Sequence, residues 1–211
     1  MKVLHFFLGK ANPDRANGVN QVINGYGKYL TKNGASVTMI GLSKLDNKKS
    51  NIFQRDGFDV EVYDRFFGGC LQRLIEVSKE VDIVHLHSVW NHYNMIFAYY
   101  LRKNNIPYIV TAHAGLIDSR LKQSNYIIKK IYHKLFQKDF YNNARAIHAI
   151  TKEEISEISN YTDNKNIFYI PNGLDIENLS LSPKEYLFNS EEIIFGYLGR
   201  FGYEKNITTL I

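Results

Sequence analysis

The feature that most constrains the fold is an alternation along the chain between short, β-rich apolar runs and longer amphipathic stretches. The apolar runs predict seven strands, over 3–8, 36–42, 58–62, 82–87, 108–111, 146–151 and 167–170. Several of them are apolar almost throughout, which is typical of strands that helices cover on both faces. The amphipathic stretches predict helices over 19–32, 71–79, 93–103, 126–141 and 152–159. Strands that alternate with helices predict an α/β fold with a doubly wound parallel sheet.

Composition restricts the compartment and the partners. The single cysteine, Cys70, rules out an internal disulfide framework and suits a reducing compartment. The sequence has neither a run of roughly 20 apolar residues nor a secretory signal, so we expect a cytoplasmic protein. The formal net charge of +5 favours anionic partners, which include nucleic acid, anionic lipid and phosphorylated metabolites. We expect no nucleic-acid binding, because no recognised module or reading helix is present.

The pattern changes after residue 170. Pro171, Asn172 and Gly173 break the series of strands, and the stretch that follows is polar and irregular. A fresh apolar run over 193–199 predicts a strand, with a helix starting near Lys205. The sequence stops inside that helix without a polar cap, so we expect a fragment of a longer protein. The predicted organisation is a first domain over 1–172, a linker over 173–190 and the start of a second domain over 191–211.

The first loop, over 9–18, opens onto the first predicted helix. Asn17 is a good candidate for the N-cap, and Gly18 would let a ligand approach the positive end of the helix. A dinucleotide-binding fingerprint is absent, because Gly25 and Gly27 lie inside the helix and lack a third glycine. The alternative is a helix cap without a ligand.

A second group of polar residues follows the strand over 82–87. Alternation places His85 and His87 on one side of that strand, with His87 at its carboxyl end, where open α/β sheets bind ligands. We expect a buried, hydrogen-bonded role for His85, and an acceptor pocket formed by His87, Trp90 and Asn91. A zinc site would need further ligands at suitable spacing, so no metal is expected.

Two further turns carry candidate ligand-binding residues. The strand over 108–111 leads to His113 and a small-residue turn, where the imidazole can reach a bound ligand; a polar residue that merely ends a strand is the alternative. Arg200 and Lys205 lie five residues apart across a predicted strand-to-helix turn. Both cations could converge on a diphosphate there, and two solvated surface cations are the alternative.

Taken in order, these elements resemble the retaining GT-B glycosyltransferases of family GT4 (group 1). The resemblance rests on the glycine-containing first loop and on the motifs DIVHLH, VTAHAG, AIHAITKEE, IPNGLD and GYLGRFGYEK. It implies two facing Rossmann-like domains, the first for the acceptor and the second for the nucleotide sugar. It also implies transfer of a sugar, of the hexosyltransferase type and with retention, from a nucleotide-diphosphate sugar to a glycan or glycolipid acceptor. Cell-surface polysaccharide biosynthesis is the setting we expect.

The resemblance also assigns roles to residues. His113 would lie against the donor sugar as the catalytic residue, Arg200 and Lys205 would neutralise the donor diphosphate, and Gly18 would approach it from the other domain. Asn17 would contact the acceptor together with His87, Trp90 and Asn91. Enzymes of this kind need no metal or cofactor beyond the nucleotide sugar. Two departures stand out, since Asn206 replaces a usual glycine and the later E-x7-E element would lie beyond residue 211.

Three expectations about function follow. The 211-residue chain should be inactive alone, because most of the donor domain is missing. A GT-B-shaped sugar-nucleotide epimerase is an alternative, since it shares the fold. A non-catalytic module that binds carbohydrate or membrane is another, because lysines occupy one half and apolar side chains the other half of the predicted helix over 126–141. For that helix we favour a structural role, in which the apolar residues pack in the core and the charged face is solvated. The alternative is peripheral contact with an anionic membrane.

Overall fold

The protein is described by a computed structural model that covers residues 1–9, 18–45, 50–116, 126–174, 196–199 and 207–209. The chain divides into two compact units, Met1–Leu174 and Asp175–Ile211. The strands of the first unit are β1 Lys2–Leu8, β2 Ser36–Leu42, β3 Ser50–Arg55, β4 Phe58–Tyr63, β5 Ile83–His87, β6 Tyr108–Thr111, β7 Ala146–Ala149 and β8 Ile167–Tyr169. Its α-helices are α1 Gly18–Lys32, α2 Leu71–Ser78, α3 His92–Lys103, α4 Tyr126–Tyr132, α5 Lys138–Asn142 and α6 Lys152–Ser159.

The strands form one eight-stranded sheet in the order β3-β4-β2-β1-β5-β6-β7-β8. All neighbouring strands are parallel except β3, which runs antiparallel to β4 at one edge. The predicted α/β fold with a doubly wound, Rossmann-like parallel sheet is confirmed. The sequence prediction missed β3, although Asp56-Gly57 between β3 and β4 is a strong signal for a two-residue hairpin. Both turn residues have the positive φ that such a turn requires, +46° and +84°.

Helices cover the two faces of the sheet, as the apolar strands predict. On one face Leu4 and Phe6 of β1 belong to a large core with residues of α2, α3, α5 and α6. On the other face Phe7 packs with Ile23 of α1 in a smaller core. Helix α1 lies very close to the sheet, because a Cβ added at Gly27 would come within 2.6 Å of the Phe58 ring.

The strand order reverses between β1 and β5. The chain proceeds from β1 to β2 on one side and returns to β5 on the other. In open α/β sheets this reversal creates a crevice outside the carboxyl ends of the two central strands, and ligands bind there. The loops that follow β1, β5 and β6 are therefore the expected location of a ligand-binding site.

The predicted helix over 126–141 differs from expectation in two ways. A π-helical turn, His133–Gln137, joins α4 to α5. The expected burial of its apolar half is wrong, because Ile127, Ile131 and Leu135 are more than half exposed. The segment packs instead through a neighbouring face, from which Phe140 and Tyr141 enter the core.

Only two short pieces of the second unit are described. Of the strand predicted over 193–199, the described residues 196–199 are not in a strand. Near the helix predicted from Lys205, a single 3₁₀ turn spans Ile207–Thr209. The predicted domain boundaries stay predictions. Within the described part of the chain, none of the helices combines the length and apolar character needed to cross a bilayer.

Candidate active site

Four histidines and a threonine lie side by side on one face of the sheet. The strand registers pair His5 with His85, His87 with Thr111, and Thr111 with His148. Because paired residues in parallel strands share a face, all five side chains lie on the α1 side. Tyr26 of α1 covers them, with its ring 5.9 Å from the rings of both His5 and His87.

The first of two hydrogen-bonded series runs from the interior to the carboxyl edge. His5 Nδ1 lies 2.9 Å from His87 Nε2, and His87 Nδ1 lies 3.0 Å from His113 Nε2. His5 and His87 are 1% and 0% exposed, whereas His113 is only partly buried. His113 is therefore the member of this series that can meet a ligand.

The second series crosses the sheet. His85 Nε2 lies 2.6 Å from Thr111 Oγ1, which in turn lies 3.0 Å from His148 Nδ1. His148 Nε2 lies 2.8 Å from the carbonyl oxygen of Ile170, which can only accept, so Nε2 carries the proton. His148 Nδ1 then accepts from the Thr111 hydroxyl, and that hydroxyl accepts from His85. The predicted role of His85 as a buried, hydrogen-bonded residue is confirmed.

Burial keeps these imidazoles neutral. Removal from water lowers the pKa of His5 to about 3 and that of His113 to about 4. Desolvation, joined by the charges of neighbouring histidines, holds the pKa values of His85 and His87 well below their ordinary range. Each ring therefore offers one N–H donor and one lone pair at neutral pH.

The unpaired nitrogen at the inner end of the first series indicates which ring donates in each of its hydrogen bonds. His5 Nε2 is buried and has no hydrogen-bond partner among the described residues. A buried N–H without an acceptor is rarer in proteins than a buried acceptor without a donor. We therefore assign the His5 proton to Nδ1, from which it is donated to His87 Nε2. His87 then donates from Nδ1 to His113 Nε2, which leaves His113 with its proton on Nδ1.

The same cluster satisfies the distance requirement of a metal site. Ring nitrogens of His5, His85 and His87 all lie within 4.8 Å of one another. Hydrogen bonds already join His5 to His87 and His85 to Thr111. The described geometry is thus that of a hydrogen-bonded histidine cluster, and the expectation of no metal stays a prediction.

Strained backbone marks the two loops beside this cluster. After β5, Ser88 and Trp90 have φ values of +73° and +60°. After β6, His113 and Ala114 have φ values of +51° and +58°. Residues with side chains adopt such angles at an energetic cost and are concentrated at functional sites. The strain supports the carboxyl edge as the functional edge of the sheet.

Contacts between the loops hold this backbone in place. Trp90 Nε1 donates to the carbonyl oxygen of Gly115 over 2.8 Å. Asn94 Nδ2 donates to the carbonyl oxygens of His87 and Ser88, both over 2.9 Å. A Cβ added at Gly115 would lie 2.3 Å from Val89 Cγ2, so only glycine lets the loops approach this closely.

Glu154 supports the His113 turn from below, and the sequence analysis missed it. Its carboxylate is buried and accepts from the backbone N–H of Ala114 over 2.8 Å and of Ile150 over 2.7 Å. Thr151 caps α6, with Oγ1 accepting from Glu154 N over 3.1 Å. The Thr-x-x-Glu spacing of a capping box over 151–154 was the available signal.

The structure places the remaining predicted residues as follows. Gly18 is the exposed first residue of α1, and a Cβ added to it would meet nothing within 4 Å. Asn91 is buried and caps α3, with Oδ1 accepting from Tyr93 N over 3.0 Å. Trp90 is half-buried beside the His113 turn, whereas His87 is enclosed behind His113. Asn17, Arg200 and Lys205 lie outside the described residues.

The sequence profile of the family described as Glycosyltransferase Family 4 matches residues 16–178. The chain belongs to this family. The match covers strands β2 to β8, the two loops after β5 and β6, and His85, His87, His113 and His148, whereas β1 and His5 lie before its first residue. No curated protein matches the chain by sequence.

Solved structures of glycosyltransferases share the fold of this family 4 chain. One is sucrose-phosphate synthase from Thermosynechococcus elongatus, with a TM-score of 0.59 and 14% identity over 84% of this chain and 49% of that one. Another is Anabaena HepE in complex with UDP-glucose, with a TM-score of 0.53 and 15% identity over 84% and 45% of the two chains. The chain spans about half the length of these structures. At such identities the likeness shows the fold alone.

Proposed function

We propose that this family 4 chain is the acceptor-side half of a glycosyltransferase. It would move a sugar, of the hexosyl type, from a nucleotide-diphosphate sugar to a glycan or glycolipid acceptor with retention. The observation that carries the proposal is His113, which stands on a strained turn at the carboxyl edge with a buried histidine hydrogen-bonded behind it. Family membership supports the class of reaction.

The proposed role of His113 follows from its protonation. Burial lowers its pKa to about 4, so the ring is neutral at the pH of a cytoplasm. A neutral ring with its proton on Nδ1 can donate a hydrogen bond to a sugar hydroxyl without placing a positive charge beside the reacting anomeric carbon. His87 and His5 would fix this tautomer. His87 would thus act through His113, as a positioning residue, and would not contact the acceptor.

The remaining roles come from the family resemblance. Arg200 and Lys205, with the helix start at Gly18, would stabilise the negative charge that develops on the leaving diphosphate. Asn17 and Trp90 would contact the acceptor, while Asn91 would shape the loop by capping α3. In the reaction the bond between the anomeric carbon and the diphosphate breaks. The acceptor oxygen bonds to that carbon, and the hydroxyl proton leaves with the diphosphate.

The donor to test first is UDP-glucose, since that is the ligand named for the HepE complex with the same fold. We infer that the 211-residue chain alone is inactive, because it spans only about half the length of the glycosyltransferase structures that share its fold. The setting we propose is the cytoplasmic assembly of a cell-surface polysaccharide.

Product analysis of the complete protein tests the proposal. A transferase releases nucleotide diphosphate in proportion to the glycoside formed, and NMR of the product shows whether the anomeric configuration is retained. An epimerase would instead convert one sugar nucleotide into another, with free sugar nucleotide remaining. A module that only binds carbohydrate would release nothing. Either of the last two results would contradict the proposed function.

A further inference from the structure

A ridge of apolar side chains projects into solvent from the segment that comprises α4, the π-helical turn and α5. Ile127, Ile128, Ile131, Leu135 and Phe136 are between 55% and 72% exposed. The buried face of the same segment is formed by other residues, among them Phe140 and Tyr141. Five large apolar side chains on one solvent face are unusual for a free surface and mark an interaction site.

A groove runs along the ridge, between it and α3. Its volume is about 470 Å³. Most of its lining is apolar or aromatic, from Met95, Ile96, Tyr99, Tyr132, Leu135 and Phe136. Ile96 and Tyr99 of α3 are themselves partly exposed, at 38% and 56%, so the apolar surface continues across the groove onto a second helix.

Positive charge accompanies the apolar ridge. The segment over 126–142 contains four lysines, Lys129, Lys130, Lys134 and Lys138, and a single carboxylate, Asp139. That carboxylate is paired with Arg102 at the rim of the groove. Lys138 forms an ion pair with Asp163, whereas Lys134 is exposed beside the ridge. A helix that presents apolar side chains next to lysines matches the surface of an anionic bilayer, with hydrocarbon below and negative headgroups around it.

The ridge also lies next to the candidate active site. The Trp90 ring is 6.4 Å from the ring of Tyr132, which lines the groove. Trp90 in turn donates to Gly115 in the His113 turn. A surface in contact with the ridge would therefore lie close to the carboxyl-edge loops.

We propose that the ridge and groove dock this chain onto an anionic lipid bilayer. The apolar side chains enter the boundary between headgroups and acyl chains, and the lysines contact the anionic headgroups. A second copy of the chain fits less well, because a two-fold interface through this ridge would bring the same lysines together. The docking is argued from this surface, whereas its consequence, that the site lies where the sugar end of a glycolipid acceptor is found, rests on the proposed function.

Vesicle co-sedimentation measures the docking without any need for turnover. The chain should bind vesicles that contain phosphatidylglycerol and bind phosphatidylcholine vesicles much more weakly. Leu135→Ser should lower the affinity for the anionic vesicles about tenfold, because one large apolar side chain no longer enters the bilayer. The matched control is Ile52→Ser, which removes an equally exposed apolar side chain from the edge strand β3 and should leave binding unchanged.

A second pair of variants tests the charge. Lys134→Gln should weaken binding about fivefold, and Lys79→Gln, at the far end of α2, should not. Equal binding to neutral and anionic vesicles would overturn the proposal, as would an affinity that Leu135→Ser leaves intact. Sedimentation velocity tests whether a second copy of the chain occupies the ridge instead. A dimer that the Leu135→Ser substitution dissociates would assign the ridge to that second copy and would overturn the proposal. Circular dichroism confirms that each variant is folded.

Discussion

His87 Nδ1 lies 3.0 Å from His113 Nε2, so a fully buried imidazole orients a partly exposed one. On its other nitrogen His87 meets His5, 2.9 Å away. The protonation state at the surface is therefore linked to a residue in the first strand. Under the proposed function, we expect the interior histidines to act through this linkage by setting the tautomer of His113.

Substitutions at His87 separate the two hydrogen bonds. Asparagine can place a polar atom near the position of Nδ1 and keep the bond to His113, whereas phenylalanine loses both bonds. We expect His87→Phe to lower kcat of the complete enzyme about fivefold more than His87→Asn, since a neutral hydrogen bond contributes roughly 1 kcal/mol. KM for the donor should change little. Nitrogen NMR of His113 would report the tautomer, and identical kcat values with an unchanged tautomer would contradict the positioning role.

Gly115 tests the packing between the two strained loops. Alanine there would place its Cβ 2.3 Å from Val89 Cγ2 and 2.9 Å from the carbonyl oxygen of Ala112. We expect Gly115→Ala to lower the free energy of unfolding by about 1–3 kcal/mol and to reduce kcat, because the His113 turn must shift. Val89→Ala in the same chain should restore part of the loss. Additive effects of the two substitutions, measured by urea denaturation, would show that they do not share this contact.

Glu154 tests the support beneath the turn. Its carboxylate accepts from Ala114 and Ile150, and hydrogen bonds to charged groups contribute roughly 1.5–3 kcal/mol each. Glu154→Gln should lower the free energy of unfolding by about that amount, because an amide N–H would face one of the two backbone donors. Glu153→Gln is the matched control, since Glu153 is the exposed neighbour in the same first turn of α6. Equal stability of the two variants would exclude this role.

The buried histidines make stability depend on pH. The folded-state pKa values of His5 and His113, about 3 and about 4, lie below the ordinary value of 6.5. Below pH 6.5 the unfolded chain therefore binds more protons than the folded chain. The stability that these two neutral histidines contribute is fully present above pH 6.5 and is lost as the pH falls through about 4 for His113 and about 3 for His5. Each such proton contributes a slope of about 1.4 kcal/mol per pH unit.

Replacing one of these residues should reduce the slope. His5→Phe keeps a ring of similar size and removes one titrating group, so unfolding should take up about one proton fewer in the range from about pH 6 to pH 5. Urea denaturation at a series of pH values measures the difference. A slope equal to that of the wild type would mean that His5 is protonated in the folded chain.

The sequence predicted the parts of the fold that depend on local pattern. The β1, β2, β5 and β6 strands follow from runs of apolar residues, and alternation was enough to place His85 and His87 on one face. It could not reveal that His5, 82 residues away from His87 along the chain, lies within hydrogen-bonding distance, because that contact depends on which strands become neighbours. The position of Glu154 had a local signal in the capping-box spacing, but its contact with Ala114, 40 residues away, depends on the tertiary fold.

The helix predicted over 126–141 shows a different limit of the sequence pattern. Its pattern predicts an amphipathic helix, but the pattern does not say which half faces the core. The π-helical turn over His133–Gln137 changes the direction of the side chains that follow it, and Phe140 and Tyr141 enter the core. The apolar half defined by Ile127 and Ile131 is left in solvent.

The most direct test of the central claim is the steady-state rate of the His113→Ala variant of the complete enzyme. Asn105→Ala is the matched control, because Asn105 is an exposed polar residue that also has a positive φ, +56°, but follows α3 at the opposite edge of the sheet. The account predicts that His113→Ala lowers kcat at least tenfold with little change in donor affinity, which is the result expected for an interaction made mainly in the transition state. Asn105→Ala should retain full activity. A wild-type kcat for His113→Ala would contradict the assignment of the carboxyl edge as the site of glycosyl transfer.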